Sequence, residues 1–342
     1  MDKELHIFAR KEVAVYFDAD FNFLSEICNH SATILLVDKE VYKLHRSKLE
    51  GYNVIEIAGG EPSKQQGTIN AVVEQLLAME ADRDCWIVGV GGGVITDIAG
   101  YVASIYKRGV KLGLVPTSIM AMSDAAIGGK NGIDVGLYKN MIGTIYQPDF
   151  ILYDYSFLDT LPVKEWVNGF AEIIKHACIR DAALFSLLEE HNLRDFQNNK
   201  QLAAELIRNN ARIKLNSVTR DEFENGERRL LNFGHTIGHA IENLHQLPHG
   251  HAISIGMVAA CSLSERLNKL HFTEAARIVK LLAKYHLPVD IDTDYKQVFS
   301  LLKLDKKRSN QFIHFVLLKH IGNAETQPVD LKYLEEHIHQ LV

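Results

Sequence analysis

Between Thr33 and Asp154 the chain repeats one pattern: a short β-branched run, a turn, then apolar residues at helical spacing. TILLVD (Thr33–Asp38), NVIEIAG (Asn53–Gly59), CWIVGVGGG (Cys85–Gly93), KLGLVP (Lys111–Pro116) and FILYD (Phe150–Asp154) read as strands. Ile69, Val72, Val73, Leu76 and Leu77 place a helix over Lys64–Glu80. Such alternation restricts the fold to a mostly parallel sheet covered by helices. From Val163 onward the spacing is helical, as in EWVNGFAEIIKHACI and QLAAELIRNNARIKLNSV, and only HFVLLK (His314–Lys319) reads as a strand. The pattern predicts an α/β domain over 1–156 and a mostly α-helical domain over 157–342. A cleft between two such domains is a common place for an active site.

Composition narrows the function. A net charge of −6 without a basic tail gives no reason to expect nucleic acid. No apolar run approaches the roughly 20 residues that span a bilayer, so no membrane partner is expected. Cys28, Cys85, Cys178 and Cys261 are widely spaced with no CxxC pair, which fits reduced thiols in the cytoplasm. MDKELHIFARKEV lacks the apolar core of a signal peptide.

Several segments carry chemistry. GVGGGVITDIAG (Gly89–Gly100) follows a strand and leads into a helix, where backbone amides and the helix N-terminus favour a phosphate. It is not GxGxxG, since the third glycine position is Val94, and a tight strand-to-helix turn is the plain alternative. Asp97, placed in the first helical turn, either caps the helix or holds a hydroxyl. SDAAIGGKNGIDVGLYKNMIG (Ser123–Gly143) is too glycine-rich and polar for a packed element and reads as a functional loop. It carries Asp124, Lys130, Lys139 and Asn140, and its two lysines favour an anion. GFAEIIKHACI sets Glu172 and Lys175 three apart, an i,i+3 ion pair by default.

Leu231–Met257 holds five of the sixteen histidines: His235, His239, His245, His249 and His251. That density proposes a metal site, against the alternative of surface histidines on a helix. The glycines between them mark places where backbones approach closely. HTIGH is not HEXXH, which disfavours a zinc protease. Lys214, Arg228 and Asn232 precede this segment, and the basic loop KLDKKRSN lies near the end; solvated charge is the plain alternative for all of them.

In series, GGEPSK, GGGVITDIAGYVA, KRG, PTS, GGKNG, KNMIG, FLDTLP, AEIIKH, RRLLNFGHTIGHAIE, HGHAISIGM and DKK resemble the 3-dehydroquinate synthases of the sugar-phosphate cyclase superfamily, from about Gly59 to Gly322. The resemblance implies a Rossmann-like nucleotide-binding domain, a helical metal-binding domain, NAD, a divalent metal and a homodimer. It implies that Glu172, His235 and His249 hold Zn2+, with Co2+ as an alternative. NAD would meet Gly59, Gly60, Glu61, Lys64, Gly93, Val94, Ile95, Thr96, Asp97, Thr117, Ser118, Lys130, Lys139, Phe157 and Thr160. Lys130, Lys175, Lys214, Asn232 and His239 would be catalytic. Asp124, Asn140, Arg228 and either Lys306 or Lys307 would bind a small sugar phosphate, with Arg108 reaching the phosphate from the other subunit. The implied lyase reaction oxidises 3-deoxy-D-arabino-heptulosonate 7-phosphate, eliminates phosphate, restores the hydride and closes the carbocycle by an aldol step. Cationic side chains suit the phosphate and carboxylate of such a substrate.

The chain departs from the family at HGHA, where His251 replaces an acid, at Ser118 in the threonine pair, at Asn131 in GKNG, and at Tyr138 before the KN pair. The His251 change puts the surroundings of the metal in question, or offers a competing ligand. Competing readings are an amino-dehydroquinate, 2-deoxy-scyllo-inosose or epi-valiolone synthase, and a metal-dependent polyol dehydrogenase of glycerol-dehydrogenase type.

Overall fold

The computed structural model describes every residue except Arg10, Leu137, Lys269, 304–307, Asn310 and Val342. The chain divides into two compact units, one of Met1–Glu165 with Ala204–Phe223 and one of Trp166–Ala203 with Glu224–Val342. The expected boundary at 156/157 implied a single passage from one domain to the next. Here the chain passes at Glu165, returns at Ala204 and leaves again after Phe223.

The first unit is built on strands β1 (Asp2–Ile7), β2 (Glu12–Phe17), β3 (Thr33–Asp38), β4 (Asn53–Ile57), β5 (Trp86–Gly91), β6 (Lys111–Pro116), β7 (Lys130–Val135), β8 (Tyr138–Ile145) and β9 (Phe150–Leu152). Seven form one sheet in the order β1-β2-β9-β6-β5-β3-β4, with β1 antiparallel and the other neighbours parallel. The central runs are apolar throughout because helices cover both faces, and Leu35, Val37, Val88, Val90 and Val115 join one core with Phe21 and Phe157. The helix expected over Lys64–Glu80 spans Gln66–Ala78. The fold class is thus the expected one.

The glycine-rich segment Ser123–Gly143 corrects the sequence reading. It is not a loop: a π-helical turn over Ala121–Ala125 leads into the antiparallel hairpin β7–β8. The glycines serve close approach rather than mobility. Gly132 pairs with Gly143, where a Cβ would lie 2.3 Å from the Asn131 carbonyl oxygen. The hairpin packs on the helix Gly93–Ile105, and a Cβ at Gly100 would fall 1.9 Å from the Asn131 side-chain oxygen. Asn131 in turn donates to the carbonyls of Gly129 and Tyr146.

The second unit is mostly helical, with a small sheet of β10 (Arg308–Ser309), β11 (Phe312–His320) and β12 (Asn323–Asp330). HFVLLK lies within β11, and β12 is a polar partner the sequence did not flag. Helices His235–His245 and His249–Leu267 press together at glycines, since a Cβ on Gly256 would sit 2.0 Å from the Gly234 carbonyl oxygen. Gly234 itself has φ +78, a left-handed geometry that glycine adopts freely, just before His235. Ile237, Ile241, Ile255, Leu317 and Val329 share the core beneath. Among the described residues, no helix is long and apolar enough to cross a membrane.

Candidate active site

Two clusters of sequence-predicted residues form, one in each unit. In the first unit, β5 ends at Gly91 and the helix Gly93–Ile105 starts directly after it. Cβ atoms at Gly89 and Gly91 would fall 2.6 Å from Ala99 and Ile95, so glycine lets the helix press onto the strand. The N-cap is Gly92, which has no side chain to cap the helix. The first-turn amides therefore remain available to an anion, assisted by the helix dipole. Asp97 lies past that turn and does not cap; it pairs with the buried Lys64 at 2.5 Å. Burial pushes the Lys64 ammonium down, but Asp97, Glu61 and Asp134 outweigh this and hold it above its usual value.

Lys139 stands 3.7 Å from Glu61, and Lys214 contacts both the carboxylate and the carbonyl of Asp124 at 2.7 Å. Lys214 is buried, so the solvated-charge alternative fails there. Thr117 and Ser118 follow β6 and are buried, while Lys130 opens β7 exposed. The Phe157 ring packs in the core beside His45, and Thr160 meets the His45 imidazole at 2.6 Å. Asp134 was not singled out by sequence. It interrupts the β7–β8 register, donates its N–H to Lys64, and accepts the N–H of Asn140, which has φ +53. One side chain thus fixes the KN dipeptide.

In the second unit, the helix Val163–Arg180 presents Glu172 with no solvent exposure. Its Oε2 accepts from Lys175, the expected i,i+3 pair. Its Oε1 has no hydrogen-bond partner and lies 3.6 Å from His235 Nε2 and 3.4 Å from His249 Nε2. The three ligand atoms lie within 4.8 Å of one another. The His235 Nδ1 donates to the Phe233 carbonyl at 3.1 Å, which leaves Nε2 of the neutral ring with its lone pair. His249 Nδ1 is 3.3 Å from Glu242, a buried carboxylate at the end of HTIGHAIE. The i, i+4, i+7 spacing of His235, His239 and Glu242 was the available signal.

Burial alone would raise the Glu172 carboxyl, yet Lys175, His235 and His249 hold it well below the usual carboxylate range. Burial lowers His249, but Glu172 and Glu242 bring it up to about 10. An orphaned, ionised carboxylate oxygen facing two imidazoles fits a divalent ion that accepts nitrogen and oxygen ligands, such as zinc or cobalt. His239 stands beside these rings, 5.1 Å from His235 between centroids. His245 bonds Thr293 at the surface. Among the described residues, His251 joins no group of converging ligand atoms. Asn232 donates to Glu224, and Arg228 is buried. Arg108 is exposed and left-handed, with φ +67. Lys306 and Lys307 lie outside the described residues.

Residues 54–168 match the model of the 3-dehydroquinate synthase N-terminal domain, and 169–308 that of its C-terminal domain. The chain belongs to the 3-dehydroquinate synthase family. The 3-dehydroquinate synthase of Saccharolobus solfataricus is 38% identical over 317 residues, covering 90% of each chain. That of Pyrococcus furiosus is 41% identical over 82% of each. Among solved structures, the 2-epi-5-epi-valiolone synthase of Streptomyces hygroscopicus subsp. jinggangensis, with NAD+ and Zn2+ bound, superposes with a TM-score of 0.88. It is 28% identical and covers 97% of each chain. The family match runs through both clusters, including the Glu172 helix and the histidine helices.

Proposed function

We propose that this enzyme is a lyase of the shikimate pathway of aromatic amino-acid biosynthesis. It converts 3-deoxy-D-arabino-heptulosonate 7-phosphate to 3-dehydroquinate and phosphate. The observation that carries the reading is the unpartnered, ionised Oε1 of Glu172 facing His235 and His249, in a chain whose family is settled. When bound, NAD supplies a reversible hydride acceptor and Zn2+ (or Co2+) a Lewis acid that polarises a substrate oxygen.

The side chains do the rest. Glu172, His235 and His249 hold the metal, and Glu242 orients His249. The uncapped amides of Gly93–Ile95, with Thr96 beside them, and the loop Gly59–Lys64 hold the pyrophosphate and ribose of NAD, with Asp97 paired to Lys64 although burial pushes its carboxyl up. Thr117, Ser118, Lys139, Phe157 and Thr160 complete that surface, where the buried Phe157 and Ile95 have only backbone to offer. Lys130, Lys175, Lys214, Asn232 and His239 hold or move protons at the substrate hydroxyls and carbonyl. Asp124, Asn140 and Arg228 orient the carboxylate and ring oxygens, joined by a lysine of the 306–307 pair.

The working form is a homodimer in which Arg108 reaches the neighbouring site. Ile105, Val135, Met141, Ile142 and Ile145 support it: five exposed apolar side chains on the end of the Gly93–Ile105 helix and the adjacent hairpin. Buried free cysteines fit a reducing cytoplasm. The test is phosphate release from the heptulosonate phosphate with catalytic NAD. Net NADH accumulation with a small polyol, and no phosphate release, would overturn the reading. Turnover of a different sugar phosphate alone would move the chain to another cyclase.

A further inference from the structure

The helix His249–Leu267 begins without a cap of its own. Its N-cap is Pro248, which offers no side-chain acceptor; its carbonyl takes the His251 N–H, and the Gly250 N–H needs a partner from elsewhere. The partner comes from another helix: the Asn168 side-chain oxygen accepts the Gly250 N–H at 2.6 Å. The approach is too close for any side chain at 250, since a Cβ there would lie 2.0 Å from the Asn168 carbonyl oxygen. Asn168 and Glu172 are four residues apart on the helix Val163–Arg180 and share a face. The bond that caps one helix therefore sets His249 one turn along from Asn168, where its Nε2 stands 3.4 Å from Glu172 Oε1.

We infer that Asn168 is a positioning residue for the metal centre, fixing the backbone at His249 while Glu242 fixes the ring; this rests on the metal reading of Glu172, His235 and His249. The side chain touches neither ligand atom. It acts through the neighbouring peptide, and the absence of a Cβ at Gly250 lets the Asn168 backbone come close enough for the bond.

Zinc affinity of the full chain, measured by chelator competition after metal stripping, tests the assignment. Asn168→Ala lowers affinity by about tenfold, at the lower end of what losing an outer-shell partner does. Asn168→Asp restores it, because the carboxylate accepts the same N–H and suits a helix N-terminus. The visible spectrum of the Co2+-loaded alanine variant changes shape, a readout that a general loss of stability does not move. Should the alanine variant fail to fold, Asn168→Gln carries the same test, since it displaces the acceptor by one methylene. Wild-type affinity in Asn168→Ala, or no recovery in Asn168→Asp, would overturn the inference alone. A wild-type chain that holds no divalent metal would instead remove the site reading on which it stands.

Discussion

Glu172 and Asp97 are both helix carboxylates drawn out of water, and their surroundings solve the same electrostatic problem differently. Asp97 meets Lys64 one to one, with Glu61 and Asp134 adding negative charge around that ammonium. Glu172 gives one oxygen to Lys175 and keeps the other for two imidazoles. The first arrangement is closed and leaves the binding capacity to backbone amides beside it. The second is open by one oxygen and two ring nitrogens, the set a transition metal takes. The difference teaches where to look for a ligand: beside the saturated pair in one unit, and at the unsaturated carboxylate in the other.

The sharpest way to break the comparison is to exchange the charge at each site. Glu172→Gln is expected to abolish tight zinc binding and cut phosphate release by about 10³-fold or more, as loss of several kcal/mol of Lewis-acid stabilisation would do. Asp97→Asn is expected to keep zinc uptake intact while raising the KM for NAD. Equal zinc loss in both, measured by metal content after gel filtration, would erase the distinction.

Lys64→Ala comes next and is read in stability. It strands Asp97 in a largely buried place, and denaturant melts should show a loss of about 3–5 kcal/mol. Lys139→Ala, whose 3.7 Å pair with Glu61 is more exposed, should cost under about 1 kcal/mol. Matching losses would mean the Lys64 pair is solvated.

Asp134→Ala should raise the KM for the sugar phosphate several-fold with little change in kcat, by releasing the left-handed Asn140. Asp134→Asn keeps an acceptor oxygen and should remain near wild type. A fall in kcat alone, in steady-state assays of the two variants, would assign Asp134 a different part.

The smallest effect is a pH dependence at Asp154. Burial raises this carboxyl, but Lys48 and Ser156 bring it below its ordinary value. A group lowered by folding contributes its stability in full above the unfolded value of 3.8, and loses it as pH falls through the lower folded value. Wild type should therefore lose more stability than Asp154→Asn between neutral pH and the acid range below 3.8, by thermal melts at matched ionic strength.

Much of this was legible beforehand, and what escaped did so for physical reasons. β3 and β6 coincide with TILLVD and KLGLVP because strands covered on both faces are nearly continuous apolar runs. β7 and β8 escaped because their glycines look like flexibility in sequence and act as close contacts in space. β1 and β12 escaped as exposed strands with few buried residues to betray them. At the site, the ligand types and their motifs could be read. Asn168 could not, because it acts by bonding Gly250, 82 residues away, and Glu242 left only its helical spacing from His235 and His239.

The return of Ala204–Phe223 to the first unit has a bearing on biosynthesis. A ribosome delivers Asp124 long before Lys214, its partner 90 residues downstream. The helix Lys200–Arg220 also ties back to the first strands, with Arg212 on Glu4 and Arg208 on Asp18. Glu4 and Asp18 must therefore wait for these arginines while the helices Val163–Arg180 and Ala182–Glu190 emerge. A truncation at the apparent boundary would make that waiting state permanent, so the unit has to be expressed with its late helix or not at all.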